Sequence, residues 1–239
     1  TVEFSSIVGI IKRTQSAVFG GLYAYSGANT MYRKEALIDV GGFRQDRATE
    51  DISIAWDHQL NDWLSVFAPE IIFFMEVPVT LKMLYRQRKR WAKGGTEVWL
   101  TNFKKVMLHP FKHIGRTIIF IDQTLSIVWS IFFCISVVLF AGLIGHYVYQ
   151  GNYEQIYITF TFSFVFICFE MVAGFFQLLA SLIVDDRRRK LKYLLFAPLY
   201  MLLFWIVNAI TIVTTFIPAV KTILGYGSGT WKNPERTKK

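Results

Sequence analysis

The apolar residues of this chain change their pattern near the middle of the sequence. In the first ~115 residues the apolar runs are short, and charged residues and glycines interrupt them. Further on, Gln123–Tyr153 and Tyr193–Val220 contain no Asp, Glu, Lys or Arg, and Gln155–Val184 contains Glu170 alone. Each run exceeds the ~20 residues that a helix needs to cross a hydrocarbon core of ~30 Å. The pattern predicts a mixed α/β region followed by three transmembrane helices.

Local patterns in the first region predict two short helices. One is expected over Lys34–Val40, where the pair Gly41-Gly42 would end it. The other is expected over Glu50–Leu60, because its apolar residues recur at roughly helical spacing and Thr49 is a suitable N-cap.

The residues that follow predict strands and then helices at the membrane surface. Ser65–Ala68 and Ile71–Phe74 have the short apolar pattern of strands. Leu81–Trp91 and Thr96–Leu108 are predicted as amphipathic, basic helices that lie along the membrane. Gly94-Gly95 is expected to be the break between them, with a hinge as the alternative.

The charge of the chain favours lipid over nucleic acid as a partner. Lys and Arg number 26 against 17 Asp and Glu, which gives a formal charge of +9, and 53% of the residues are hydrophobic. Many of the cations lie beside the apolar runs, where anionic headgroups attract them. A nucleic-acid-binding protein needs a basic face with stacking groups on a soluble fold, and this chain is too apolar for that. We therefore expect a lipid bilayer, and no nucleic acid, as partner.

The loops between the apolar runs predict their orientation. Asp185–Lys190 contains four adjacent cations and is expected in the cytoplasm, whereas Gly151–Glu154 has no Lys or Arg and is expected outside. A third crossing would place the tail outside, but the tail is basic, which favours the inside. Pro198 and Pro218 near the ends of the last run also leave a broken or re-entrant segment open.

Two motifs carry the candidate chemistry. Thr49-Glu50-Asp51 supplies two carboxylates at a predicted helix N-terminus. The alternative to a catalytic role is a purely structural one, because the helix dipole favours acidic residues in the first turn. Gln87-Arg88-Lys89-Arg90-Trp91 supplies guanidinium groups that can bind a pyrophosphate and an aromatic face that can stack on a sugar. The alternative for this motif is a basic helix at the membrane surface whose Trp side chain anchors it at the lipid headgroups, without a role in substrate binding. The glycine of the small-residue turn at Ser26-Gly27 permits close backbone approach, although an ordinary loop would look the same.

The two motifs together resemble those of the processive family 2 glycosyltransferases. The stretches Ala48–Leu60 and Val77–Trp99 and the tail Thr230–Arg236 are most similar to the bacterial poly-β-1,6-N-acetylglucosamine synthases. The resemblance implies inverting transfer of N-acetylglucosamine from UDP-GlcNAc to a growing β-linked exopolysaccharide, and help with its export. It implies a catalytic part on the cytoplasmic side of a bacterial plasma membrane, with a small membrane accessory subunit as a further partner.

The resemblance also implies a role for each motif residue. Asp51 would remove the proton of the acceptor hydroxyl, which is a poor nucleophile until that proton leaves. Arg88 and Arg90 would hold the diphosphate of the leaving group. The remaining residues implied in substrate binding are Glu50, Gln87, Trp91, Ser26 and Gly27.

The resemblance further implies a fold and a metal. We expect an α/β, GT-A-like partial domain over residues 1–80, interfacial helices over 81–116, a transmembrane helical bundle over 117–224 and a basic tail over 225–239. Family members hold Mg²⁺ or Mn²⁺ with an Asp-x-Asp motif, and none precedes Asp51 here. Because the chain begins in mid-pattern at Thr1, we expect these ligands in an N-terminal portion that it lacks.

Two rival functions stay open at this point. The motifs are shared with synthases of other polymers, such as hyaluronan or a β-glucan, so they indicate the reaction class better than the sugar. A non-catalytic channel or transporter would use only the three helices, but several intramembrane charges would then be expected, and Glu170 is alone.

Overall fold

The computed structural model describes Phe4, Phe73, Gly229 and residues 6–71, 77–185 and 190–227. The regular structure in these residues is helical. The elements in chain order are a π-helical turn at Ile7–Ile11, α1 Lys12–Phe19, α2 Lys34–Asp39, α3 Glu50–Leu60, α4 Leu81–Leu108, α5 Ile114–Gln150, α6 Tyr153–Val184, a 3₁₀ helix at Leu191–Phe196 and α7 Ala197–Ile223.

Both short helices of the first region are confirmed. Helix α2 ends where glycine permits it, since Gly41 and Gly42 both have φ of +78° and Gly42 N–H donates to Leu37 O at 2.8 Å. Helix α3 begins after Thr49, whose backbone is extended, as an N-cap residue requires. The Thr49 side chain, however, makes no capping hydrogen bond.

The predicted strand at Ser65–Ala68 is wrong. These residues have no regular secondary structure, and no strand occurs in the described part of the chain. Polar side chains instead contact the segment, since Phe67 N–H donates to Ser16 Oγ at 3.1 Å and the Ser65 and Tyr25 hydroxyls lie 2.5 Å apart. A strand needs a neighbouring strand to satisfy its backbone, and none is present among these residues. In the second predicted strand Ile71 and Phe73 are also irregular, and Ile72 and Phe74 lie outside the described residues.

The three predicted spans are confirmed as helices that are long and apolar enough to cross a membrane. They cover Ile114–Gln150, Tyr153–Val184 and Leu191–Ile223, with 37, 32 and 33 residues. The third span is not broken at either proline. Pro198 lies in the first turn of α7, where its missing N–H is tolerated, and the helix continues through Pro218. The basic cluster at residues 187–189 and the tail motif at 230–236 lie outside the described residues.

The chain divides into two compact units. One contains the described residues of Thr1–Ile11 and Trp129–Ala209. Its small core comprises Leu178, Leu182 and Ala197, so α6 packs on the start of the third span. The other contains those of Lys12–Val128 and Ile210–Lys239, and it holds all the candidate catalytic residues.

The core of the second unit joins three helices. Ile52 and Trp56 of α3 pack with Val98 of α4 and Phe120 of α5. The Trp56 and Phe120 rings meet edge to face, with centroids 5.3 Å apart. Because these large side chains are almost fully buried, they fix α3 on α4 and thereby bring the two motifs into one region.

The predicted break at Gly94-Gly95 is also wrong, because α4 is one continuous helix of 28 residues. Both glycines are buried, and each lies against another part of the same unit. A Cβ built on Gly94 would lie 2.7 Å from Cβ of Thr49, and one on Gly95 would overlap the Tyr23 hydroxyl. Glycine is needed here for close approach of the N-terminus of α3, and it does not end the helix.

We expect Gly94→Ala to destabilise the protein, although alanine favours a helix by about 1 kcal/mol. The added methyl group would overlap Thr49, and such overpacking costs about 1–3 kcal/mol. Thermal unfolding in detergent measures the effect. Gly142→Ala in α5 is the matched control, because a Cβ there meets nothing within 4 Å. Equal melting temperatures for the two variants would show that α3 does not pack on Gly94.

Candidate active site

The acidic motif lies at the N-terminus of α3, and its Asp51 carboxylate faces the Ser26-Gly27 turn. Asp51 Oδ1 accepts the Ile52 N–H at 2.9 Å, and Oδ2 accepts the Gly27 N–H at 3.3 Å. Glu50 is exposed beside it. Two backbone donors thus orient the Asp51 carboxylate, which is half-buried.

The small-residue turn lies in van der Waals reach of both carboxylates of the acidic motif. A Cβ on Gly27 would lie 3.4 Å from Glu50 Oε1 and 3.8 Å from Asp51 Oδ2. The turn is closed on itself, since Ser26 N–H donates to Thr30 Oγ1 at 3.1 Å and that hydroxyl donates back to Ser26 O at 2.7 Å. The structure therefore brings Ser26 and Gly27 together with Glu50 and Asp51.

Buried side chains of α3 hold the segment before this turn. Leu22 N–H donates to Gln59 Oε1 at 2.9 Å, and Gln59 Nε2 donates to Leu22 O at 2.8 Å. Trp56 Nε1 donates to Tyr23 O at 3.1 Å. Gln59 was not singled out from the sequence, although a polar residue on the apolar face of α3 is the kind of signal that could have found it.

The basic motif lies in the first half of α4. Arg88 is only 7% exposed, and its guanidinium carbon lies 4.4 Å from the centre of the Trp91 ring. This stacking orients the guanidinium and uses one face of the indole. Arg90 is half-buried, and its positive charge acts on Asp51. Gln87 Oε1 is buried and accepts no hydrogen bond from any residue that the structure describes.

A cleft of about 570 Å³ opens beside the Ser26 turn. Its lining includes Lys12, Ser26 and His58, together with the aromatic side chains of Tyr25, Tyr32, Trp63 and Phe67. This volume lies within the range of ligand pockets, roughly 300–1,000 Å³. Aromatic faces beside polar groups suit a sugar, which has both C–H faces and hydroxyl edges. Of the sequence-predicted site residues, Ser26 lines this cleft, whereas Asp51 and the basic motif do not.

A family model described as glycosyl transferase family group 2 matches residues 2–224. The chain belongs to this glycosyltransferase family. It is 34% identical over 240 residues to a poly-β-1,6-N-acetyl-D-glucosamine synthase of Staphylococcus epidermidis, covering 99% of this chain and 56% of that protein. A synthase of the same name from Staphylococcus aureus strain COL is 32% identical over 238 residues, with the same coverages. The resemblance drawn from the motifs is thus confirmed.

The chain spans about half the length of these curated relatives, 56% in each case. No solved structure matches it.

The electrostatic environment of Asp51 raises the pKa of its carboxyl group. Burial is the largest cause, and the nearby Glu50 charge acts in the same direction. The backbone N–H groups of Ile52 and Gly27 and the Arg90 charge oppose the rise. Burial also lowers the pKa of Lys12, and Asp51 opposes that shift. A carboxylate with a raised pKa binds a proton more tightly than usual, as a general base must.

Further along α4 lies a buried carboxylate that the sequence analysis did not single out. Glu97 is 0% exposed, and its Oε2 accepts the Ala48 N–H at 2.9 Å. Ala48 comes directly before the acidic motif. No motif in the sequence flags Glu97, because its partner lies 49 residues away.

The residues that the structure describes do not form a divalent-metal site. Among these residues, no group of three or more His, Cys, Asp or Glu side chains lies close enough together to hold a metal ion. Glu50 and Asp51 are adjacent, but two carboxylates alone do not complete the oxygen shell that Mg²⁺ or Mn²⁺ requires.

We expect Asp51→Asn to stabilise the protein at pH 7. Folding raises the pKa of Asp51 above its usual 3.8, so the folded state binds the proton more tightly than the unfolded state. Stability is therefore highest with Asp51 protonated and decreases as the pH rises through the folded pKa. Asn mimics the protonated form. Its advantage in melting temperature should disappear below about pH 3.8, the usual pKa of Asp.

Thermal unfolding at a series of pH values measures this difference. Glu35→Gln is the matched control, since Glu35 is an exposed acid in the first turn of α2. That variant should gain no stability at pH 7, because a first-turn acid favours the helix. If Asp51→Asn behaved like this control, Asp51 would not be in a desolvated site.

Proposed function

We propose that the complete protein is a membrane-embedded inverting glycosyltransferase. It transfers N-acetylglucosamine from UDP-GlcNAc to a growing β-linked exopolysaccharide and helps to export the product. Family membership and the names of the relatives support this proposal. One observation carries the proposal: the contact between α3 and α4 brings Asp51, whose pKa is raised, close to the basic motif.

In the proposed reaction the acceptor hydroxyl loses its proton to Asp51. Its oxygen forms the new bond to the anomeric carbon as the bond from that carbon to the UDP oxygen breaks. The bonding electrons leave with UDP, whose diphosphate gains negative charge. Arg88 and Arg90 stabilise this charge with forked, charge-assisted hydrogen bonds. One in-line displacement inverts the anomeric centre, and it requires both sugars to be held in register.

The other motif residues shape the site in this proposal. Trp91 holds the Arg88 guanidinium by stacking, and its ring, which is partly exposed, would also contact a sugar. The buried Gln87 Oε1 can accept a hydrogen bond from a substrate hydroxyl. Ser26 and Gly27 leave room for the acceptor beside Asp51, and Glu50 helps to raise the pKa of Asp51.

A divalent metal, when bound, would neutralise charge on the diphosphate, and members of such families commonly use Mg²⁺ or Mn²⁺ for this purpose. The described residues of this chain do not supply its ligands. No step above is therefore assigned to it.

We further propose the arrangement of the chain in the membrane. Residues 1–80 would belong to an α/β, GT-A-like domain, residues 81–116 would lie at the interface, residues 117–224 would form the transmembrane bundle and residues 225–239 a basic tail. The catalytic part would face the cytoplasm of a bacterial cell. The UDP-sugar, the polysaccharide, the bilayer and a small accessory subunit would be the partners. The three long apolar helices support the membrane assignment.

Asp51→Asn in the complete protein should lower polymer synthesis by about 10²–10⁴-fold, the usual contribution of a general base. Binding of UDP should persist, because the basic motif is unchanged. Incorporation of labelled sugar in membrane vesicles measures synthesis, and a panel of UDP-sugars identifies the donor. Glu35→Gln serves as the control and should retain activity. Near wild-type incorporation by Asp51→Asn would reject Asp51 as the base, and a wild type without transferase activity would favour a channel.

Arg90→Lys should lower kcat/KM about tenfold or more, although the charge is kept. Lysine cannot make the forked contacts of a guanidinium, and a hydrogen bond to a charged group contributes about 1.5–3 kcal/mol. Inhibition by UDP should weaken in parallel. Arg86→Lys is the matched control, since Arg86 is exposed on the same helix. If both variants matched the wild type, Arg90 would be only a headgroup anchor.

A further inference from the structure

Glu97 is a fully buried carboxylate in the middle of α4, with 0% of its surface exposed. It lies beyond the basic motif, and the reaction proposed above does not use it. Burying a carboxylate is unfavourable unless charged and hydrogen-bonding partners compensate. The partners of Glu97 therefore indicate what the buried charge does.

Each oxygen of Glu97 has a different partner. Oε2 accepts the Ala48 N–H at 2.9 Å, whereas Oε1 accepts no hydrogen bond from the described residues and forms an ion pair with Lys93 Nζ at 3.4 Å. Lys93 is on the same helix, one turn earlier, whereas Ala48 belongs to the segment that leads into Thr49-Glu50-Asp51. One side chain thus links the helix of the basic motif to the backbone before the acidic motif.

A second contact, at Gly94, also attaches the segment before the acidic motif to α4. Thr49 is 1% exposed, and its side chain lies where a Cβ on Gly94 would be. Ala48 and Thr49 are thereby held at adjacent turns of α4. Asp51 is two residues beyond Thr49, and Arg90 is one turn before Gly94. The separation of Asp51 from the basic motif therefore depends on these two contacts.

We propose that Glu97 is a positioning residue, which holds the Ala48–Asp51 segment on α4 so that Asp51 and the basic motif face one reaction centre. This inference rests on the proposed glycosyltransferase function for its effect on turnover. The hydrogen bond to Ala48 carries the effect, so the reach of the side chain matters more than its charge.

Two variants of the complete protein separate reach from charge. Glu97→Asp keeps the charge but is one methylene shorter, and Glu97→Gln keeps the reach and an acceptor for Ala48 N–H. Thr96→Val is the matched control, because Thr96 is 0% exposed and its hydroxyl donates only within α4, to Ala92 O at 2.8 Å. All three are compared per folded molecule, so a lower yield does not count as a loss of turnover.

Kinetics and hydrogen exchange give two independent readouts. Glu97→Asp should lower kcat about 10- to 100-fold, as expected for a displaced catalytic group, with little change in KM for the UDP-sugar. Glu97→Gln should keep kcat within about threefold of the wild-type value, and Thr96→Val should have the wild-type kcat. The amides of Ala48–Asp51 should exchange about tenfold faster in Glu97→Asp and remain unchanged in the control.

The proposal is overturned if the Ala48–Asp51 amides exchange at the wild-type rate in Glu97→Asp, or if that variant keeps wild-type kcat. It is also overturned if Glu97→Gln loses as much turnover as Glu97→Asp, since charge would then be responsible. A folded wild type that makes no polymer would reject the proposed function instead. The exchange measurement would still decide whether Glu97 holds the segment.

Discussion

The packing of the N-terminus of α3 on the middle of α4 is the contact on which the candidate site depends. Gly94 of α4 leaves room for Thr49 at the N-terminus of α3, Gly95 leaves room for Tyr23, and Trp56 of α3 packs against Phe120 of α5. The motifs are distant in sequence, and this contact brings them together. A change that separates α3 from α4 would therefore remove the site without altering any motif residue.

The site is built from groups whose burial is unfavourable for stability. Asp51 is partly desolvated beside Glu50, and Glu97 is buried entirely. Surrounding contacts offset these costs, notably the Gln59 hydrogen bonds to Leu22 and the cluster around Trp56. Such a combination is typical of a functional site, because a rigid frame holds carboxylates in an environment that they would not otherwise occupy.

The elements that depend on local sequence were predictable, whereas those that depend on distant partners were not. The pattern of apolar residues predicted α2, α3 and the three spans because helical hydrogen bonds are made within a segment. The strand at Ser65–Ala68 failed because a strand requires a partner that the local pattern cannot reveal. The pair Gly94-Gly95 indicated a break because glycine disfavours a helix. In the structure, glycine is needed at position 94 because the Thr49 side chain occupies the space where a Cβ would lie. Glu97 was missed for the same reason, since only the fold reveals Ala48 as its partner.

A cryo-EM structure of the complete protein in a lipid environment with UDP bound tests the central claim most directly. The account predicts that the diphosphate lies within ion-pair distance of Arg88 or Arg90, and that the Asp51 carboxylate faces the same cavity while Ala48 remains bonded to Glu97. A diphosphate bound elsewhere, with Asp51 and Arg90 in separate cavities, would contradict it.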